Sequence, residues 1–285
     1  MSNIKTIFQD EIKAGIRFQF GANWARFLEV IDEERIAKAE KSLKEMLGVE
    51  DLKGMRFLDI GSGSGLFSLV AQKIGAKVHS FDFDPQSVAC TRELKRRYFL
   101  DDNTWVIEEA SVLDRKYLAK LGQFDVVYSW GVLHHTGAMW QALENVTSLV
   151  AGGGRLFIAI YNDQGRNSVM WKRIKKIYCS SPALLKIPIL WLAFTRLWGP
   201  STMRDLLKGQ PGRTWHNYGK SKDGSGRGMS PWRDVVDWVG GFPFEVAKPE
   251  QIFDFYRSKG FLLKRLKTCG GGLGCNEYVF KRDLI

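Results

Sequence analysis

Three glycines that alternate with other small residues stand between an apolar run and a helical pattern. Gly61, Gly63 and Gly65 follow a run whose composition predicts a buried strand, and residues 66–74 then show the apolar periodicity of a helix. Glycine lets a backbone approach a ligand that a β-carbon would exclude, and the start of a helix offers unpaired N–H groups. Together with Asp59, the acid directly before the turn, these residues predict a ligand cradle.

A second acid ends the next predicted strand. Asp82 follows residues 77–81, and Phe83 comes directly after it. A carboxylate at such a strand end can accept hydrogen bonds from both hydroxyls of a ribose, which favours a nucleoside ligand. The dinucleotide fingerprint is G-x-G-x-x-G, whereas this turn is G-x-G-x-G with Leu66 at the position of the last glycine. The turn alone leaves a dinucleotide and another nucleoside as alternatives.

Two further strand ends carry side chains that could complete such a site. Residues 105–108 predict a third strand and lead to Ser111 and Val112. Residues 124–130 predict a fourth strand that ends at Trp130, and a pair of histidines follows it. Because the carboxyl ends of parallel strands meet at one edge of a sheet, we expect these residues to converge with the glycine turn.

These segments, in this order over residues 56–135, resemble the class I S-adenosylmethionine-dependent methyltransferases. The acid and the glycine turn are similar to motif I of that family. Residues 124–135 are similar to motif IV of its small-molecule members, in particular the quinone-biosynthesis O-methyltransferases. The resemblance implies S-adenosylmethionine as the methyl donor and S-adenosylhomocysteine as the product. It implies a cofactor site formed by Asp59, Gly61, Gly63, Gly65, Asp82, Phe83, Ser111, Val112 and Trp130.

The order of predicted elements defines the fold class. Strands and helices alternate from residue 56 to 160, which predicts an α/β parallel sheet with helices on both faces, and Gly152–Gly154 are expected to stop the helix before the fifth strand. Residues 261–268 and 276–282 predict an antiparallel hairpin around a glycine-rich loop. A Rossmann-like sheet of seven strands that ends in such a hairpin resembles the methyltransferases and excludes the NAD interpretation.

The chain divides into four predicted parts. Residues 1–55 form an N-terminal helical cap. The resemblance to the methyltransferases makes the aromatic segment 18–28 a candidate lid over the cofactor, and packing of these rings on one face of the sheet is the alternative. Residues 56–160 and 246–285 form the two parts of the methyltransferase core. Residues 161–245 form an insertion of about 85 residues, far longer than the roughly 2–6 residues usual for a strand-to-helix connection.

The insertion concentrates tryptophan and positive charge. It holds six of the ten tryptophans, and 14 lysines and arginines against six acids give it +8 of the net charge of +11. We predict helices over residues 170–178, 184–197 and 233–239, with a glycine-rich polar stretch over 209–229. Because it leaves the carboxyl edge of the sheet, the insertion is the natural substrate cap; a dimerisation or packing subdomain is the alternative.

Transfer to a hydroxyl group would be helped by a general base, and histidine is suited to neutral pH. His135 follows the fourth strand and His216 lies in the insertion, so both are candidate catalytic bases, with Tyr161 directly after the fifth strand as a third candidate. The structural alternatives are packing for the histidines and a helix cap or ion pair for the polar residues. The candidate substrate contacts are Trp24, Tyr161, Asn162, Tyr218, Arg227 and Glu245.

The sequence also narrows the reaction and the partners. Ser129-Trp130-Gly131 is not the Asn/Asp-Pro-Pro motif of adenine and glutamine N-methyltransferases, and no metal ligands of the catechol type are apparent, so we predict no metal. The expected partner is a small-molecule acceptor, aromatic or anionic and methylated at oxygen. An RNA substrate bound by the basic insertion is the alternative, and a non-enzymatic scaffold is a third.

Four scattered cysteines and the lack of a signal-peptide pattern favour a cytoplasmic protein without structural disulfides, and no apolar run is long enough to predict a membrane span. The oligomeric state is left open.

Overall fold

The computed structural model describes residues 4–100, 102–218 and 231–284. A seven-stranded sheet runs through its centre in the order β3-β2-β1-β4-β5-β7-β6. The first five strands are parallel, and β7 is antiparallel to both of its neighbours, which confirms the predicted fold class. The strands are β1 Arg56–Ile60, β2 Lys77–Asp82, β3 Trp105–Glu109, β4 Phe124–Trp130, β5 Val150–Tyr161, β6 Phe261–Lys267 and β7 Cys275–Arg282.

Helices cover both faces of this sheet because successive side chains of a strand point to opposite sides. Leu58 of β1 belongs to one apolar core and its neighbour Phe57 to another, and Val127 and Val126 of β4 divide in the same way. The core helices are α4 Leu66–Lys73, α5 Pro85–Tyr98, α6 Arg115–Leu121, α7 Met139–Thr147 and α12 Pro249–Arg257.

The start of β5 corrects the prediction that Gly152–Gly154 stop a helix. α7 already ends at Thr147, and the three glycines lie inside β5. The register between β4 and β5 is irregular at this point, and a β-carbon on Gly154 would lie 3.0 Å from the carbonyl oxygen of Asp125. The glycines therefore permit a close approach of two backbones in the sheet.

Three helices precede the first strand: α1 Ile4–Lys13, α2 Gly21–Phe27 and α3 Glu33–Leu47. The Asp32 carboxylate accepts a hydrogen bond from the Arg35 amide at 2.8 Å and so caps the start of α3. At the other end, Gly48 adopts a left-handed conformation with φ of 65°.

The insertion contains α8 Arg166–Ser180, α9 Ala183–Leu207, α10 Arg213–Asn217 and α11 Pro231–Gly240. It has an apolar core of its own, which includes Trp171, Leu190 and Val239. α9 extends ten residues beyond its predicted end at residue 197 and continues through Pro200. Among the described residues, no helix is both long enough and apolar enough to cross a membrane.

Candidate functional site

The glycine turn after β1 is fastened to the end of β2 by one carboxylate. Gly61, Gly63 and Gly65 have φ values of 78°, 55° and 82°, a left-handed conformation that other residues rarely adopt. The amide of Gly63 donates to Oδ2 of Asp82 at 2.9 Å, and the amide of Asp84 donates to Oδ1 of Asp82 at 2.9 Å. The two predicted halves of the cradle are thus in direct contact.

Side chains close over this turn from two directions. A β-carbon on Gly61 would lie 2.4 Å from both methyl carbons of Val132, in the loop after β4. A β-carbon on Gly63 would lie 3.0 Å from the ring of Trp24 on α2. Trp24, a predicted substrate contact, therefore lies against the glycine turn.

Asp59 and Asp82 differ in what surrounds their carboxylates. Asp59 is 2% exposed and accepts a hydrogen bond from the hydroxyl of Ser68 at 2.5 Å, so it ties β1 to α4 beneath the turn. Burial raises the pKa of Asp59 to about 7. Burial also raises the pKa of Asp82 to about 6, although the amides of Asp84 and Gly63 favour its ionised form.

The other predicted cofactor residues lie at the strand ends as expected. The ring of Phe83 is 5.7 Å from that of Phe8 on α1. The Ser111 hydroxyl accepts a hydrogen bond from the Leu113 amide at 3.2 Å, which shapes the turn after β3. Val112 is buried in the core, and Trp130 is partly buried at the end of β4.

An aromatic cluster occupies the ends of β4 and β5. Tyr161 lies at its centre, with ring centroids 4.0 Å from His134 and 5.4 Å from His135. Two rings of the insertion complete it, since Trp238 lies 5.4 Å and Phe244 lies 5.3 Å from Tyr161. The structure therefore brings together two of the predicted catalytic residues, His135 and Tyr161.

The tautomer of His135 follows from its hydrogen bond. Its Nδ1 lies 2.6 Å from the carbonyl oxygen of Pro243, which can only accept, so Nδ1 carries the proton. In the neutral ring Nε2 then presents a lone pair. Burial lowers the pKa of His135 to about 3, with smaller contributions from the charges of Lys175 and Arg17, so the ring is neutral near pH 7.

Lys175 is a buried lysine that is not among the predicted site residues. It has no exposed surface, its ammonium donates to the carbonyl oxygen of Trp238, and it lies 4.2 Å from the centre of the Trp238 ring and 4.7 Å from that of Phe244. Burial lowers the pKa of Lys175 to about 7. Its spacing from Trp171 and Tyr178 on α8 places it on the apolar face, a signal that was present in the sequence.

The same cluster contains a second buried polar atom. Nε1 of Trp238 is buried and has no hydrogen-bond partner among the described residues. Buried polar groups are rarely left unpaired, so such a donor is a natural contact for an oxygen or nitrogen of a bound molecule.

Residues 17–24 lie across the whole arrangement. Arg17 donates to the carbonyl oxygen of His135 at 3.1 Å, and its guanidinium lies 4.8 Å from the centre of the Phe83 ring. The amide of Gly21 donates to Asp84 at 2.8 Å. This segment thus contacts the glycine turn, the end of β2 and the histidine loop.

Two predicted substrate residues have structural partners. The Asn162 side-chain oxygen accepts from Asn276 at 3.0 Å, which ties the end of β5 to the hairpin. Glu245 accepts a hydrogen bond from the Met139 amide at 2.9 Å and so caps the start of α7. Both contacts join the insertion boundary to the core.

Two further candidates, Tyr218 and His216, lie on or directly after α10. Tyr218 donates to Asp234, and its ring is 5.0 Å from that of Trp198 within the insertion. His216 is exposed on α10. Arg227 lies outside the described residues. In the part of the chain that the structure describes, no three histidine, cysteine or acidic side chains are grouped so that they could hold a metal ion.

Comparison with known proteins covers the core more strongly than the insertion. Residues 58–156 match a family model described as a methyltransferase domain. The ubiquinone biosynthesis O-methyltransferase of Xanthomonas oryzae pv. oryzae is 29% identical over 112 residues, which are 39% of this chain and 45% of that protein. The chain thus spans less than half the length of the curated relatives that it matches.

Two solved structures have a similar fold. Magnesium protoporphyrin IX methyltransferase from Synechocystis PCC 6803, with bound S-adenosylhomocysteine, aligns with a TM-score of 0.55 and 15% identity over 98% of this chain and 100% of that one. PKMT2 from Rickettsia typhi aligns with a TM-score of 0.55 and 13% identity, over 87% of this chain and 52% of that one. At these identities the likeness is one of fold.

Proposed function

We propose that this chain is a class I S-adenosylmethionine-dependent methyltransferase and that it transfers a methyl group from S-adenosylmethionine to an oxygen of a small-molecule acceptor. The observation that carries the proposal is the hydrogen bond from Gly63 to Asp82, because it joins a glycine turn to a carboxylate at adjacent strand ends. The family match supports it, since residues 58–156 contain both features.

The residues at the cradle fit the cofactor. Each oxygen of Asp82 accepts one backbone hydrogen bond and retains a lone pair for a ribose hydroxyl. A β-carbon on Gly61, Gly63 or Gly65 would lie within 3.0 Å of another residue, so glycine is what allows the turn to follow this path, and its backbone would bind the amino-acid end of the ligand. When bound, S-adenosylmethionine supplies a methyl group made electrophilic by its sulfonium.

The aromatic cluster is the proposed acceptor site. Tyr161, Trp238 and Phe244 present ring faces and edges that suit a planar or apolar acceptor. The buried N–H of Trp238 would donate to a polar atom of that acceptor, and the Lys175 ammonium would favour a negative charge on it. Three of these four groups, Lys175, Trp238 and Phe244, come from the tryptophan-rich, basic insertion beyond β5, and Tyr161 is the last residue of that strand.

His135 is the proposed proton acceptor. Its Nε2 lone pair would take the acceptor's O–H proton as the oxygen gains the methyl group, and the nearby Lys175 charge would lower the pKa of that hydroxyl. A neutral imidazole is required for this role, and burial keeps it neutral. The covering segment 17–24 would exclude water from the reacting atoms, and its opening would admit the ligands.

The RNA alternative predicts exposed rings on which bases could stack. Two insertion rings fit that expectation in part, since Trp191 is 55% and Trp215 is 40% exposed, although they also pack on Trp232 at 5.3 Å and Trp198 at 5.2 Å. The partly buried cluster of Tyr161, Trp238 and Phe244 favours a small acceptor, and the transfer assay separates the two functions.

A transfer assay with radiolabelled S-adenosylmethionine and a panel of phenols and aromatic carboxylates tests the proposal. We expect product with at least one acceptor, a loss of at least about 100-fold in rate for His135→Gln, and little change for His216→Gln. A loss of activity with His216→Gln but not with His135→Gln would indicate that His216 on α10 is the base. Turnover of labelled RNA with none of the small acceptors would contradict the proposal.

A further inference from the structure

The solvent face of α9 is apolar over its first half. Leu184 is 85% exposed and Leu192 is 72% exposed, while Leu185, Ile187 and Trp191 are each more than half exposed. These five side chains are spaced so that they lie along the outer side of the helix. A surface helix normally carries polar residues on that side.

The opposite face of the same helix already packs on the insertion. Leu190 and Ala193 are 8% and 5% exposed and belong to the core formed with α8 and α11. The exposed leucines are therefore not needed to fold the insertion. Contiguous exposed apolar surface of this kind usually marks a binding surface.

The surroundings of this face are strongly basic. Residues 166–213 contain ten lysines and arginines against one acid, Asp205. Asp205 is 6% exposed and accepts hydrogen bonds from Thr214, and its single negative charge against the ten basic residues leaves this segment a net charge of +9. Eight of the ten basic side chains are exposed: Arg166, Lys172, Arg173, Lys176, Arg196, Arg204, Lys208 and Arg213.

We propose that α8 and α9 dock the protein on an anionic lipid bilayer, with Leu184, Leu185 and Leu192 inserted at the headgroup boundary and the basic residues against lipid phosphates. Apolar insertion and attraction to anionic lipid are the two contributions that hold interfacial helices. The inference does not depend on the proposed reaction.

Two other partners fit the surface less well. A second copy of the chain on a two-fold axis would set one basic surface against another, and like charges at an interface oppose association. Nucleic acid would find the cations, but four of the five exposed apolar side chains are aliphatic and only Trp191 offers a ring for a base to stack on. The combination of aliphatic side chains and positive charge favours the bilayer.

Vesicle flotation with the full chain tests the proposal. We expect flotation with phosphatidylcholine vesicles that contain about 30% phosphatidylglycerol, and weak flotation with phosphatidylcholine alone. The double variant Leu184→Asp/Leu192→Asp should bind at least about ten-fold more weakly. The matched control is Leu100→Asp, because Leu100 is 70% exposed outside the insertion. Thermal unfolding of both variants checks that they fold.

Three results would overturn the proposal. The first is no flotation of the wild type with anionic vesicles. The second is equal flotation of the wild type and the double variant. The third is that neither protein binds vesicles, while the wild type forms a concentration-dependent dimer or binds tRNA and the double variant does not.

Discussion

Burial shifts the pKa of three side chains at the candidate site in the direction that favours the neutral form. It raises the pKa of Asp82 to about 6 and lowers the pKa of His135 to about 3 and that of Lys175 to about 7. In each case removal from water is the first cause of the pKa shift. The consequences are measurable as pH dependence.

The affinity for S-adenosylhomocysteine should depend on the ionisation of Asp82. The pKa of Asp82 is raised to about 6, so its carboxylate is ionised above that pH and protonated below it. Charge-assisted hydrogen bonds to ribose hydroxyls are the stronger ones, so we expect affinity to fall about ten-fold between pH 7.5 and pH 5. Calorimetric titration measures this, and Asp82→Asn should bind weakly at both pH values. A pH-independent wild type would contradict the assignment.

Lys175 should make stability rise with pH. Its folded pKa of about 7 lies below the usual 10.5, so between these values the unfolded chain binds one proton more than the folded chain. The free energy of unfolding of the wild type relative to Lys175→Met should therefore increase by roughly 1 kcal/mol per pH unit above pH 7. Urea unfolding at several pH values measures it.

The exposed neighbour Lys176 provides the control for that series. Lys176→Met should differ from the wild type by an amount that does not change with pH. If the difference between Lys175→Met and the wild type is also independent of pH, burial does not lower the pKa of Lys175.

At the scale of elements, tight backbone approaches position the site. The glycine turn passes beneath Val132 and Trp24, and the insertion is joined to the core where Glu245 caps α7. Each of these contacts involves backbone atoms and only a few side chains, so single substitutions should show how much each contact contributes to stability.

Gly61→Ala should destabilise the protein more than Gly48→Ala. Both glycines have positive φ, of 78° and 65°, which costs alanine about 1 kcal/mol. Only at Gly61 would the new methyl group lie 2.4 Å from Val132, whereas nothing lies within 4 Å at Gly48, so we expect a total of roughly 2–4 kcal/mol at Gly61. Chemical denaturation measures both variants. Equal losses would mean that Val132 does not restrict the turn.

Glu245→Ala should lower the free energy of unfolding by about 1 kcal/mol, because it removes the acceptor for the Met139 amide at the start of α7. Glu245→Gln keeps a carbonyl oxygen and should lose less. Urea unfolding of the two variants measures this difference. A neutral Glu245→Ala would show that the cap does not stabilise the helix and would restore the residue as a substrate candidate.

The strands and helices of the core could be predicted from the sequence more accurately than the contacts that connect them. Strand and helix periodicity identified β1 to β4 because their apolar patterns are local. The prediction that Gly152–Gly154 stop a helix was wrong because these glycines permit a close contact with β4, and Asp125 of that strand lies 29 residues before Gly154 in the chain. Glu245 was predicted as a substrate contact for the same reason, since its partner Met139 is distant in sequence.

At the scale of the whole molecule, one chain combines a core that its relatives share and an insertion with its own apolar centre. The cradle could be predicted because its residues follow one another within the core. The aromatic cluster could not, because Tyr161, Lys175 and Trp238 come from three separate elements. Segment 17–24 then links both parts, because Arg17 donates to the carbonyl oxygen of His135 in the core and the Phe18 amide donates to the carbonyl oxygen of Phe242 in the insertion at 2.8 Å.

Calorimetric titration of S-adenosylhomocysteine against the wild type and Asp82→Ala tests directly whether Asp82 binds the cofactor. We expect binding by the wild type and at least about ten-fold weaker binding by Asp82→Ala. Asp125→Ala, which removes a carboxylate that accepts from the Arg56 amide at 2.8 Å, should bind like the wild type. Unchanged affinity after loss of Asp82, or a preference of the wild type for NAD, would contradict the account.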